Sequence, residues 1–363
     1  MGLMLSNTLK SQISKIFWIT LGWTLIAVFY FFSIYVSLID LERDISDLDP
    51  WLFFKGSLLT GILAGVIGGS CVVFFWEKWL RTKNYGWSLL SMLWTYTGIY
   101  FIVGILTGLF VDSADIGLPF YHEEVWQLTM SSMIGLPSLQ NYFFWLFVVL
   151  GTLIILLVND KYGPGVFRDF LLGKYFRPKR EERIFMFIDL RSSTSIAEKL
   201  GEQRYFNFLR DVFQHATTSI LDSKGEIYQY VGDEIVISWK MHKGIDNANC
   251  LNCFFEIQEA LQLKASYYQE NYDGIIPEFK AGLHYGYVMA GEIGVVKREI
   301  AFSGDVLNTA SRIQEKCNVL GVNILLSNYL LDKLSLQTDS FAPRKMGDME
   351  LRGKKQKVML YTI

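Results

Sequence analysis

The chain begins with long apolar stretches and continues with short alternating ones. Four stretches, 16–39, 56–76, 87–111 and 142–158, are apolar throughout and carry no charged side chain. A bilayer core of about 30 Å requires about 20 helical residues, so each stretch predicts a membrane-spanning helix. The first stretch is too long for a signal-peptide core and no small-residue cleavage site follows it, which indicates that it is retained.

The loops between these stretches differ in charge. Segment 40–50 holds five acids and one arginine, and segment 112–141 holds four acids and no base. The start of the chain, segment 77–86 and the segment after 158 are instead rich in lysine and arginine. Short basic loops stay on the cytoplasmic side. The sequence therefore predicts a multi-pass protein of the cell membrane with both termini in the cytoplasm and the lipid bilayer as a partner.

Charge density changes at about residue 158. Residues 1–158 carry 17 charged side chains and residues 159–363 carry 53, about 11% and about 26%, and only the second value is typical of a globular surface. We predict a transmembrane domain over 1–158, a basic juxtamembrane linker over 159–182 and a soluble domain over 183–363. The net charge of −2 predicts no nucleic-acid partner, because a backbone binder needs an excess of basic residues.

The spans themselves suggest an anchor, a dimerisation unit or a sensor. They contain no ionisable residue, which disfavours a pump or transporter. Gly61-x-x-x-Gly65 and Gly104-x-x-x-Gly108 allow two helix backbones to approach closely, either across a dimer or within one protomer.

The soluble part alternates short strands with longer helices, which is typical of an α/β or α+β layer domain. The pattern predicts helices over 194–221, 247–271 and 306–317. It predicts strands over 184–189, 226–230, 235–239, 279–284, 299–302 and 358–362, of which the second and third form a hairpin.

Two carboxylates stand out in this part. Asp189 ends an apolar strand and is followed by Ser192, Ser193 and Thr194 at a helix start, while Asp233 lies at the hairpin tip. Either aspartate alone is explained by capping or by a turn. Together, on neighbouring strands, they can hold two Mg²⁺ ions, with helix N-terminal amides nearby to receive phosphate. Such two-metal sites stabilise the attacking and leaving oxygens in phosphoryl chemistry.

A third group of candidates lies in the segment SGDVLNTASR at 303–312. Asn308 and Arg312 are four residues apart, so on a helix they offer an amide and a fixed cation to one ligand. An exposed helix face with an ordinary arginine is the alternative interpretation.

The segments FIDLRSST, YVGDE and SGDVLNTASR, in this order and spacing, resemble the signature of class III nucleotidyl cyclases. The resemblance covers about residues 183–363. It implies an α+β, ferredoxin-like palm domain that works as a homodimer with active sites at the subunit interface. It also implies conversion of a nucleoside triphosphate to its 3′,5′-cyclic monophosphate and pyrophosphate, by metal-assisted attack of the ribose 3′-hydroxyl on the α-phosphate.

The resemblance assigns roles to individual positions. It implies two Mg²⁺ ions per site, replaceable by Mn²⁺, and makes Asp189, Asp233 and the backbone carbonyl of Leu190 their ligands. Asn308 matches a residue that orients the ribose, and Arg312 matches one that stabilises charge at the transferred phosphate. A basic residue near the C-terminus is implied for the terminal phosphates, and Lys354 and Arg352 are the candidates.

The base-recognition positions depart from the family pattern. Family members that use ATP generally have lysine at the first of these positions and aspartate or threonine at the second. Here the residues are Gln229, whose amide can both donate and accept, and Ala301, which forms no side-chain hydrogen bond. We favour ATP as the substrate, with GTP or a pyrimidine triphosphate as alternatives.

Two other functions remain open. Lost base recognition at Gln229 and Ala301 is compatible with a membrane receptor module that binds nucleotide without turnover. A diguanylate cyclase has a similar hairpin, but that family has no counterpart of the helix that carries Asn308 and Arg312.

Overall fold

The structure is a computed structural model that describes residues 7–40, 49–76, 79, 85–162, 169, 172–296, 298–334, 341–350 and 357–363. The chain divides into two compact units, Met1–Lys161 and Tyr162–Ile363. Residues 163–168, 170 and 171 of the linker predicted over 159–182 lie outside the described residues.

The first unit is helical. Its helices are α1 (Asn7–Asp40), α2 (Pro50–Trp76), α3 (Tyr85–Ile116), α4 (Glu123–Ser132) and α5 (Leu136–Tyr162). All but α4 are long and apolar enough to cross a membrane. The side chain of Asp49 caps α2 by accepting a hydrogen bond from the Trp51 N–H at 2.9 Å. Helix α4 lies within segment 112–141, which the charge pattern of the sequence treats as a loop between two spans.

The two glycine pairs serve packing inside this unit. A Cβ atom at Gly61 would lie 2.5 Å from the Thr24 Cα atom of α1, and one at Gly65 would overlap Thr20. A Cβ atom at Gly108 would lie 2.6 Å from the Thr129 methyl group of α4. Because these contacts already occupy the glycine faces, the within-protomer alternative accounts for both pairs.

The second unit is a mixed sheet with helices on both faces. Its strands are β1 (Lys179–Leu190), β2 (Glu226–Val231), β3 (Glu234–Lys240), β4 (Phe279–Ile293), β5 (Glu299–Ser303), β6 (Ile324–Ser327), β7 (Arg344–Glu350) and β8 (Lys357–Thr362). Its helices are α6 (Ser193–Leu200), α7 (Glu202–Asp222), α8 (Met241–Ile245), α9 (Asn249–Gln262), α10 (Ala265–Asn271), α11 (Asp305–Leu320) and α12 (Asn328–Leu331). The strand order is β2-β3-β1-β4-β6-β8-β7, and β5 pairs with β4.

Strand β1 lies between β3 and β4, and both of its faces are covered. Ile184, Met186 and Ile188 point to the core under α7 and α9, whereas Phe185 and Phe187 point to a second cluster under α11. This alternation is the two-residue period of a strand. It continues to Asp189, which therefore lies on the α11 face at the end of β1.

Candidate active site

The two predicted metal-ligating aspartates are neighbours in the structure. Strands β1 and β3 are antiparallel with Asp189 opposite Glu234, which places Asp233 in the hairpin turn just beyond the end of β1. Gly232 makes that turn with φ +62°, a conformation that glycine adopts without strain. The two carboxylates are close enough for Asp233 to raise the pKa of Asp189.

Two residues from other elements hold Asp189 in place. The Lys280 ammonium, on β4 directly opposite Asp189, lies 2.8 Å from its Oδ2 atom. The side-chain amide of Gln314, on α11, donates to the same oxygen at 3.0 Å. Asp189 and Lys280 are 21% and 12% exposed, so this ion pair is largely shielded from water.

Negative charge is concentrated around this pair. Burial, together with the neighbouring Asp233, raises the pKa of Asp189, although Lys280 opposes the rise. Burial and then Asp189 and Asp233 raise the pKa of Glu234 to about 7. The single ammonium of Lys280 therefore does not neutralise the cluster, which is an environment that attracts a further cation.

The donor chemistry fits Mg²⁺. Within the part of the chain that the structure describes, no three His, Cys, Asp or Glu side chains converge on one ion, so an all-protein cage is absent there. Mg²⁺ is commonly bound by one or two carboxylates together with substrate phosphates, and Asp189 and Asp233 supply that number.

The loop after β1 leads to the N-terminus of α6. Ser192 adopts the left-handed conformation with φ +55°, and its carbonyl accepts a hydrogen bond from Ile196 at 3.0 Å. Ser193 and Thr194 form the first turn of α6, and Thr194 is exposed. On α7, burial and then Asp233 raise the pKa of the Tyr205 phenol.

Asn308 and Arg312 lie on a different face of α11 from Gln314. At 100° per residue, Arg312 is about 160° around α11 from Gln314, the residue that reaches Asp189. Asn308 is exposed and Arg312 is half-exposed. Neither side chain has a hydrogen-bond or ion-pair partner among the described residues. They share one helix face, as predicted, but they do not point toward the Asp189 of their own chain.

The base-recognition candidates lie on strands that meet through aromatic side chains. Gln229 is exposed on β2 and Ala301 is half-buried on β5. Their chain neighbours, Tyr228 and Phe302, have ring centroids 5.0 Å apart, and the Phe302 N–H donates to the Tyr228 hydroxyl at 3.4 Å. Arg352 and Lys354 lie outside the described residues.

Sequence reasoning missed Lys280, Gln314 and Tyr205. Lys280 carried a signal, since it is a charged residue at the second position of an apolar strand. Gln314 is a buried polar residue on the apolar face of α11, which also indicates a specific partner. Tyr205 had no signal in the sequence, because an exposed helix face often carries a tyrosine.

Comparison with known proteins identifies the class. Residues 177–363 match the family described as the adenylate and guanylate cyclase catalytic domain. Since this match covers more than half of the chain, the protein belongs to that family, the class III nucleotidyl cyclases that the motifs resemble.

Individual relatives cover less of the molecule. Adenylate cyclase 2 of Rhizobium meliloti is 36% identical over 229 residues, which are 63% of this chain and 62% of that protein. A receptor-type guanylate cyclase of Caenorhabditis elegans is 25% identical over 204 residues, 54% of this chain and 27% of that protein. The chain thus spans less than two thirds of the length of these relatives.

A solved structure shares the fold. That structure, of a bacterial light-regulated adenylyl cyclase, has a TM-score of 0.52 and 19% identity, and the match covers 63% of this chain and 65% of that one. The expected fold class, apolar N-terminal helices followed by an α+β cyclase domain, is confirmed.

Proposed function

We propose that this protein is a membrane-anchored adenylate cyclase that converts ATP to 3′,5′-cyclic AMP and pyrophosphate. The observation that carries the proposal is the β1–β3 pairing, which brings Asp189 at the end of β1 next to Asp233 in the hairpin turn of a cyclase-fold sheet. The choice of ATP is supported by the 36% identity to a relative named as an adenylate cyclase. Guanylate cyclases are also among the relatives, so GTP is the alternative substrate.

The chain's own residues have distinct tasks in this proposal. Asp189 and Asp233, with the Leu190 carbonyl, hold two Mg²⁺ ions. Bound there, Mg²⁺ or Mn²⁺ lowers the pKa of the ribose 3′-hydroxyl and neutralises phosphate oxygens. The first amides of α6, with Ser193 and Thr194, donate to phosphate oxygens. Lys354 or Arg352 binds the terminal phosphates.

The second half of the site comes from another copy of the chain. Arg312 offers a planar guanidinium to the α-phosphate, where negative charge increases in the transition state, and Asn308 positions the ribose. Both residues face away from their own Asp189 and have no described partner. A homodimer that places this face of α11 against the partner's carboxylates completes two equivalent sites, with Gln229 and Ala301 beside the base.

The catalytic unit lies in the cytoplasm in this proposal. The acidic segments 40–50 and 112–141 alternate with basic ones along the four apolar helices, which favours cytoplasmic termini. That side of the membrane also holds the cell's nucleoside triphosphates.

The test is a substrate panel on the full chain in lipid membranes. With Mg²⁺ or Mn²⁺ and each of the four triphosphates, we expect cyclic AMP from ATP and its loss in Asp189→Asn. The matched variant Asp332→Asn, which removes a carboxylate from the end of α12, should keep the activity. Absence of cyclic product from every triphosphate contradicts the enzymatic proposal. Nucleotide binding that Asp189→Asn leaves unchanged, without turnover, supports a receptor module instead.

A further inference from the structure

The helices of the first unit line a partly open cavity of about 390 Å³. The part of the wall on α3 runs from Tyr96 to Asp112 and consists of residues spaced three or four positions from one another. It therefore follows one helix face for about 24 Å. Sites for small molecules usually measure about 300–1,000 Å³, and an engineered cavity of roughly 150 Å³ already accepts benzene. The cavity is therefore large enough for an elongated organic molecule.

One end of the cavity is aromatic. Trp76 and Tyr96 line it together, and the Trp76 indole donates to Thr95, the residue before Tyr96, at 2.9 Å. Trp23 and Trp145 also line the cavity, with ring centroids 6.3 Å apart. These four side chains are buried. Aromatic faces of this kind bind apolar groups and attract organic cations.

The other end carries a carboxylate. Gly56 and Val111 are in contact there, and Asp112 is the next residue on α3. The third predicted span ended at residue 111, but the helix continues to Ile116 and brings Asp112 to the cavity wall. Asp112 accepts a hydrogen bond from Thr129 at 2.6 Å, which leaves further lone pairs of the carboxylate for a ligand.

The hydrogen-bonding groups on the wall favour a ligand that donates. Seven lining side chains already donate their N–H or O–H hydrogens to protein acceptors at 2.5–2.9 Å: Trp23, Trp76, Tyr96, Tyr100, Ser57, Thr60 and Ser132. In contrast, the Oδ1 atom of Asn141 is buried on the wall without a hydrogen-bond partner among the described residues. A buried unpaired acceptor is costly, and a bound donor would satisfy it.

From these observations we infer that the first unit is a receptor for an amphipathic amine. The aromatic or alkyl body of the ligand lies against Trp23, Trp76 and Tyr96. Its ammonium group donates to Asp112, the carboxylate on the cavity wall. This site is separate from the proposed cyclase chemistry, so it is tested by binding and does not depend on turnover.

The experiment uses the full chain in lipid nanodiscs and isothermal titration calorimetry, with empty nanodiscs subtracted. The probes are 4-phenylbutylamine, the neutral 4-phenylbutanol and the anionic 4-phenylbutyrate, which share one body. We expect the amine to bind at least tenfold more tightly than the alcohol, and the anion not to bind. Asp112→Asn should abolish this difference, whereas the matched Asp115→Asn, on the same helix but off the cavity wall, should preserve it.

A second variant tests the cavity itself. Ala64→Phe adds a ring to the wall without touching Asp112, and we expect it to remove amine and alcohol binding alike. Equal affinities for amine and alcohol, or an unchanged preference in Asp112→Asn, overturn the inference. If Asp112→Asn does not fold, the comparison of the three probes on the wild-type chain decides the matter.

Discussion

Lys280 is a cation located where the proposed function requires a metal ion. Its ammonium neutralises part of the charge on Asp189 and Asp233 when no divalent ion is bound. We expect Lys280→Met to lower the stability of the Mg²⁺-free protein by about 1–2 kcal/mol, because it leaves a shielded carboxylate pair uncompensated. Added Mg²⁺ should then raise the melting temperature more in the variant than in the wild type, as measured by thermal unfolding in detergent.

The control for this experiment is Lys316→Met, on α11, where the structure shows no ion pair with a described carboxylate. It should change neither the stability without Mg²⁺ nor the shift that Mg²⁺ causes. Equal Mg²⁺-induced shifts in the wild type and in Lys280→Met would show that the ammonium and the metal do not share this charge cluster.

Gln229 tests base recognition at a single position. A lysine there donates only, which suits the ring nitrogen acceptors of adenine, whereas glutamine can pair with either purine. We expect Gln229→Lys to raise the ratio of kcat/KM for ATP to that for GTP about tenfold. The control is Leu263→Lys, which adds the same charge at an exposed position after α9. An unchanged ratio in Gln229→Lys would remove this residue from base selection.

The sequence could predict the site residues that belong to short local motifs. Asp189 and Asp233 follow from a strand end and a hairpin tip, and their proximity follows from the pairing of neighbouring strands. Gln314 is 125 residues from Asp189 in the chain, and its contact depends on how α11 packs across the sheet. Lys280 depends on the β1–β4 register in the same way. No local pattern encodes these distances.

At the scale of elements, apolar periodicity located most helices and strands but not their breaks. The helix expected over 194–221 is two helices, because Gly201 adopts φ +72° between α6 and α7. Strand β7 was missed because its sequence, RKMGDME, is mostly polar. Strand β6 was missed because its three apolar residues, Ile324–Leu326, fit a strand or a buried helix equally well.

The position of α11 depends on Gly282 of β4. A Cβ atom there would overlap the backbone nitrogen of Gln314 and lie 2.6 Å from the Ala310 carbonyl oxygen. Gly282→Ala must therefore push the helix away from the sheet, and we expect it to cost about 1–3 kcal/mol of stability. Cyclase activity should fall at least tenfold at temperatures where the protein remains folded, because Asn308 and Arg312 move with the helix.

The control for this prediction is Gly286→Ala, four residues along the same strand. Its Cβ atom would lie 2.7 Å from a methyl group of Val306, which can rotate away, instead of from backbone atoms. We expect a smaller loss of stability and of activity, measured by thermal unfolding and by cyclic nucleotide formation. Comparable losses in both variants would mean that close helix approach at Gly282 is not the determining contact.

At the scale of the whole molecule, the chain combines two units that the sequence already separates by charge density. What the sequence could not provide is the cavity among the helices, since its wall combines residues from all five helices of the first unit. The family resemblance implies that the carboxylates and Arg312 of one site come from different protomers, and on α11 Arg312 lies on a different helix face from Gln314, which reaches Asp189. In the proposed function each protomer is therefore incomplete, and we expect the dimer to be the smallest unit that catalyses the reaction.

Mixed dimers test this dependence directly. Asp189→Asn and Arg312→Ala should each be inactive alone, but a mixed dimer contains one site in which both halves are intact. With equal amounts and random pairing, we expect about a quarter of the wild-type activity in cells that produce both variants. Asp189→Asn with Asp233→Asn is the control: both changes affect the same half, so no pairing restores a site. Activity in that control, or none in the first mixture, would contradict a shared site.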